Sequence, residues 1–172
     1  MLIPQSLKLI LLAFVTLSLI YDQATPTFEA SDEVWHYAVV RELADGRGLP
    51  VWTAGESTTF RQEGGQPPGY YLASAALTFW VDDSDFPKRF TYNPFAQVGI
   101  PGTPNNINMM AHSSDEQFPW TGTTLAVRIV RWMSIVLGAV TVVLTYLLAG
   151  TLFPKNAPIA LLAATFTAFN PT

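Results

Sequence analysis

"RIVRWMSIVLGAVTVVLTYLLAGTLF", residues 128 to 153, decides the fold. After Arg131 the run holds twenty-two residues without a charge. About 20 apolar residues in a helix cross the ~30 Å hydrocarbon core of a bilayer. The segment therefore reads as a transmembrane helix over 128–153. Towards the C-terminus, "PKNAP" (154–158) is a tight turn, and "APIALLAATFTAFNPT" (157–172) opens another uncharged run that stops without a polar flank. This predicts the start of a third transmembrane helix in a truncated part of a longer polytopic fold. Towards the N-terminus, "LKLILLAFVTLSLIY" (7–21) carries one lysine and then thirteen uncharged residues. With the preceding "LIPQS" it approaches spanning length, so 1–21 is expected to be transmembrane helix 1. The competing reading is a cleaved secretory signal, but its basic region is one lysine and "YDQATPTFEA" lacks a small-x-small cleavage site.

Composition agrees with a membrane chain. Of 172 residues, 49% are apolar and 13% charged, and the mean hydropathy is +0.26, too oily and too charge-poor for an ordinary soluble domain. There is no cysteine, which removes disulfides and thiolate metal sites. All thirteen acids lie between Asp22 and Glu116 with only five bases among them, so that segment carries net −8. Such a surface excludes nucleic acid as a partner, because phosphate backbones bind basic faces. Lys8 and Lys155 mark the short ends as cytoplasmic by the positive-inside rule. The acidic loop 22–127 is then extracytoplasmic, and Arg128 and Arg131 fall at the outer end of the second span. A charge there asks for an anionic partner, or serves as an interfacial anchor reaching the headgroups.

The expected fold class is thus an all-α membrane protein with about three transmembrane helices and a large, partly helical extracytoplasmic first loop. Within the loop, helices are expected at about 31–45, capped by Ser31 and closed by the glycines of "DGRG", and at about 67–80, started by the prolines of "QPPG". Residues 81–123 are rich in Pro, Gly, Asn and Asp and read as irregular.

The chemistry-bearing stretch is "EASDEVWHYAVVREL", 29–43. If Asp32 is helical, it shares a face with His36 at i, i+4, while Glu33 points about 100° away. Acids in a first turn complement the helix dipole, which alone explains their presence; the same field keeps a carboxylate ionised and able to take a proton. His112, Asp115 and Glu116 gather in one loop, but loop acids with one histidine are ordinary surface residues, and no metal site is assigned. Whether a divalent metal is needed stays open.

In order, the oily first helix, "SDEVWHY", "GRGLPVW", "QPPGYYLASAAL", "VRIVRWMSIVLGAVTVVLTYLLA" and "LLAATFTAFNP" resemble the N-terminal part of the membrane-embedded GT-C glycosyltransferases, the protein O-mannosyltransferase-like and aminoarabinose-transferase-like enzymes (glycosyltransferase family 39-like). The resemblance implies an integral membrane glycosyltransferase that moves a sugar from a polyprenyl-phosphate-linked donor to an acceptor protein or glycolipid. It places the protein in a bacterial plasma membrane, among membrane lipid. The catalytic carboxylate maps onto Asp32 with Glu33 beside it, and the residue meeting the lipid phosphate onto Arg131. Arg128, one turn earlier, is a second phosphate candidate by geometry, and His36 is a further substrate-side candidate or a polar residue that orients Asp32. A Lys-Pro-Pro-Leu element found in part of the family is "QPPG" here, so the role of that lysine is absent. The alternative reading is a non-catalytic polytopic subunit, a scaffold or polysaccharide-export component, that keeps the fold without the reaction.

Overall fold

The computed structural model of the chain describes residues 4–97, 107–154 and 156–170. Residues 98–106 of the stretch read as irregular, residues 171–172 of the third apolar run, and Lys155, used above for orientation, lie outside the described residues. Six α-helices are described: α1 (Gln5–Ala24), α2 (Glu33–Ala44), α3 (Gly69–Thr78), α4 (Phe86–Arg89), α5 (Gly122–Leu152) and α6 (Ala157–Phe169), with short 3-10 turns at Arg61–Gly65 and Ser114–Glu116. Among the described residues there is no strand, only one isolated antiparallel bridge between Tyr92 and Met110. The chain divides into two compact units, one of Met1–Ala24 with Arg131–Thr172 and one of Thr25–Val130.

In the first unit, α1 and α5 are long and apolar enough to cross a membrane. Only 11% of the most apolar window of each is buried within the protein. Leu9, Leu12, Val136 and Leu144 stand exposed on these helices. A core helix of a water-soluble domain hides such side chains, whereas a spanning helix turns them to lipid. Helix α6, at 13 residues, reaches roughly 20 Å at 1.5 Å per residue, short of a ~30 Å core. The three helices meet at Leu7, Val142 and Ala164. Elsewhere along α5, Gly138 leaves room for Phe14 of α1, since a Cβ there would lie 2.7 Å from the ring. Small residues at close helix crossings are the usual means of packing without a hydrophobic driving force between helices.

The second unit has its own core, centred on Phe28, Tyr37, Val40, Tyr71, Phe86 and Met110. The Phe28 ring stands 5.8 Å from both Tyr37 and Phe86. Helix α2 lays Val34, Tyr37, Ala38 and Val39 into this core, and α3 packs on it through Tyr71 and Ala75. The glycine-rich end behaves as its sequence predicts: Gly46 takes φ +74, its N–H donates to Leu43 O at 3.1 Å and Arg47 N–H donates to Glu42 O at 3.0 Å, the two bonds of a Schellman close. Tyr37 donates its hydroxyl to Asp83 at 2.7 Å and Arg41 adds a 3.1 Å bond to the same carboxylate, fixing α2 to the segment ahead of α4. Burial, and then the Asp83 charge, push the Tyr37 phenol far above its ordinary range, so it remains a donor.

The start of α5 is finished by a residue 38 positions away. Asp85 accepts from the backbone N–H of Thr123 at 2.8 Å and from its hydroxyl at 2.7 Å. Burial opposes the charge on Asp85, but the Thr123 donors and Arg89 outweigh it and hold the carboxyl below its usual value. A group whose folded value is lowered stabilises above its unfolded value and loses that contribution as pH falls through the folded one. Gly122 sits at φ +59, and a Cβ on it would come within 2.6 Å of Asp85 Oδ1. Gly122→Ala therefore combines a left-handed alanine with a displaced cap. We expect it to destabilise the Thr25–Val130 unit by roughly 2 to 4 kcal/mol, read as a lowered midpoint in denaturant unfolding followed by tryptophan fluorescence.

Candidate active site

The turn before α2 departs from the sequence expectation. Ser31 does not cap the helix. Asp32 occupies the N-cap position, at φ 58 and ψ 0, and the helix begins at Glu33. Because Asp32 is left-handed rather than helical, it does not share a helix face with His36. Its carbonyl, not its side chain, makes the link, accepting the N–H groups of Trp35 and His36 at 3.0 Å each. The carboxylate makes no capping bond, and no hydrogen bond or ion pair reaches it from the described residues. It is half-buried.

Four residues earlier Phe28 is also left-handed, at φ 67. Non-glycine residues in this region cost of order 1–3 kcal/mol each and persist only where the surroundings over-determine them. Here the surroundings do so from both sides. Glu33 reaches back and accepts the Phe28 N–H at 2.9 Å. Glu29 accepts the backbone N–H groups of Met109 and Met110 at 2.9 and 2.8 Å and contacts His112 Nε2 at 2.9 Å. His112 Nδ1 in turn lies 2.9 Å from Glu116 Oε2. Arg89, its side chain only 5% exposed, joins Glu116 to Asp85. A polar chain thus runs from the cap of α5 to the turn that carries Asp32. Of the paired acids, Glu33 holds the turn and Asp32 is left unoccupied.

His36, on the first turn of α2, makes its contacts with other segments. Its Nδ1 is 2.7 Å from the Tyr71 hydroxyl and 3.5 Å from Glu63 Oε2. Glu63 is buried, on the 3-10 turn Arg61–Gly65, and accepts from the side-chain amides of Gln62 and Gln66. Next to it, Arg61 lies over the Trp35 ring at 4.2 Å. Arg128 is buried in the second unit and stands 5.0 Å above the Trp120 ring. In the first unit, Arg131 Nη1 donates to Asp22 O at 3.2 Å and Oδ1 at 3.4 Å, and Trp132 Nε1 donates to Asp22 Oδ2 at 3.0 Å. The anion that Arg131 requires is supplied within the chain by Asp22. His112, Asp115 and Glu116 do not converge on one point: His112 and Glu116 pair with each other, while Asp115 pairs with Lys88.

The sequence reading did not single out Glu29, Glu63 or Asp22 as neighbours of the candidate residues, nor Tyr71 as a partner of His36. Asp22 alone left a signal, being an acid at the end of an apolar run. Comparison with known protein families, curated protein sequences and solved structures yields no match.

Two outcomes follow. Asp22→Ala leaves a nearly buried guanidinium short of its carboxylate, and should cost about 3–5 kcal/mol, seen as unfolding at lower denaturant in detergent. Asp32→Gly relieves the left-handed strain and removes no hydrogen bond or ion pair to the described residues, so it should leave the unfolding midpoint unchanged or raise stability by about 1 kcal/mol, whereas a structural Asp32 would lower it.

Proposed function

We propose that the chain is part of an integral membrane glycosyltransferase that moves a sugar from a polyprenyl-phosphate donor to an acceptor on the extracytoplasmic side of a bacterial plasma membrane. One observation carries this reading. Asp32 is a carboxylate without a hydrogen-bond or ion-pair partner among the described residues, on a strained turn pinned by Glu29 and Glu33. Strain maintained around an unused acid is understandable if the acid is kept for a ligand.

Glycosyl transfer from a lipid phosphate breaks the bond from the anomeric carbon to a phosphate oxygen and forms one to an acceptor oxygen or nitrogen. The acceptor proton has to leave, and Asp32 takes it as general base. Negative charge grows on the departing polyprenyl phosphate and needs donors and cations. Arg131 and Arg128 are the arginines that the family resemblance and the helix geometry offer for it. The acceptor is a protein or glycolipid hydroxyl or amine.

The test is sugar transfer by the full-length protein in liposomes, with polyprenyl-phosphate mannose and polyprenyl-phosphate aminoarabinose as donors. Asp32→Asn retains the side-chain shape and the tolerance for a left-handed backbone but loses the base. Turnover should fall by about 10²- to 10⁴-fold with the circular dichroism spectrum unchanged. Full turnover in Asp32→Asn would exclude the catalytic assignment, and no transfer by the unmutated protein from either donor would favour a non-catalytic polytopic subunit.

A further inference from the structure

The contacts of His36 define which of its nitrogens carries a proton. Tyr71 is buried at 3% exposure, and burial, followed by the nearby Glu63 charge and Tyr70, raises its phenol above the ordinary value. Its proton stays on the oxygen and needs an acceptor, since an unpaired buried hydroxyl is costly. Among the described residues the acceptor within reach is His36 Nδ1, at 2.7 Å. The two rings lie at 24° with centroids 6.0 Å apart, so the packing holds the imidazole where the phenol can meet it. A neutral imidazole that accepts at Nδ1 carries its hydrogen at Nε2. That edge has no partner among the described residues, and the side chain is 38% exposed. His36 therefore offers a hydrogen-bond donor outward from a fixed ring.

We infer that Tyr71 is a positioning residue, which sets the Nε2–H tautomer of His36 so that this N–H binds a phosphate oxygen of the lipid-linked donor. The inference rests on the transfer reading above and adds to it the group that orients His36. Glu63 belongs to the same arrangement. Its carboxylate, 3.5 Å from Nδ1, can only accept hydrogen bonds when ionised, and it is the anion at hand should the ring bind a second proton. Hydrogen bonds from a ring so oriented are made without loss of side-chain freedom at the moment of binding, which is the advantage of a built donor over a mobile one.

The tautomer is measurable apart from activity. Imidazole nitrogen shifts of the full chain labelled with ¹⁵N-histidine, recorded near pH ~8 where an ordinary imidazole is neutral, report which nitrogen is protonated. His36→Gln assigns the signals of the two histidines. We expect the Nε2–H form in the unmutated protein and a mixture of forms in Tyr71→Phe, which keeps the stacked ring and drops only the hydroxyl. In liposome transfer from the donor of the previous section, Tyr71→Phe should lower kcat/KM about tenfold, as expected for one misdirected hydrogen bond to a charged group. The same change on a His36→Gln background should add less than twofold, because the two residues act through one bond. An Nδ1–H ring in the unmutated protein, a tautomer indifferent to Tyr71→Phe, or full additivity in the double variant overturns the inference. If the tautomer responds as expected while the unmutated protein transfers no sugar, the transfer reading has failed and the phosphate partner falls with it.

Discussion

The hydrogen bonds from Thr123 to Asp85 are the constraint on which the Thr25–Val130 unit depends. A long apolar helix cannot satisfy its first N–H groups by itself, and α5 opens with a glycine and two threonines rather than with an acidic first turn. Asp85 supplies that end from another segment, and Arg89 beside it carries the link onward to Glu116, His112 and Glu29. Among the described residues between α3 and α5, regular structure is confined to α4 and the short 3-10 turn Ser114–Glu116. The order of the unit rests on this polar chain laid over the aromatic cluster of Phe28, Tyr37 and Phe86. Buried or half-buried polar chains of this kind are worth having only when every member is satisfied, and the members here are.

At its far end the same chain holds the turn from Phe28 to Asp32. The adjacent acids Asp32 and Glu33 look equivalent in sequence, yet they divide the work. Glu33 bonds backbone and holds the turn, while the Asp32 side chain does not cap the helix that it starts. Ser, Thr, Asn and Asp normally stabilise a helix from the N-cap by about 1 kcal/mol. At Asp32 that gain is given up, and left-handed strain is accepted in addition. Two costs thus fall on one residue, each countered by neighbours rather than removed.

The arginines follow a related logic. Arg131 and Arg128 stand three residues apart on one helix, yet they belong to different units and have different neighbours: the Asp22 carboxylate against Arg131, and the Trp120 ring below Arg128. A guanidinium in apolar surroundings needs a fixed anion or an aromatic face. The chain supplies one of each.

Sequence by itself determined the helical class and the location of the two long apolar helices, because a run of uncharged residues of bilayer length has few alternatives once every backbone group must be bonded internally. It also located α2 and its close at Gly46, where the cue is local: an apolar helical stretch followed by a residue that tolerates positive φ. Tertiary structure alone decided the rest. That Ser31 yields the cap position to Asp32, that Glu33 turns back to Phe28, that Asp85 completes α5 and that Tyr71 faces His36 all depend on contacts between residues up to dozens of positions apart. Hydrogen bonds and ion pairs across such distances leave no periodic trace in a single chain, since any polar residue of suitable reach can make them. The apolar pattern is repeated over whole segments and is therefore legible, whereas the polar pattern is written one contact at a time.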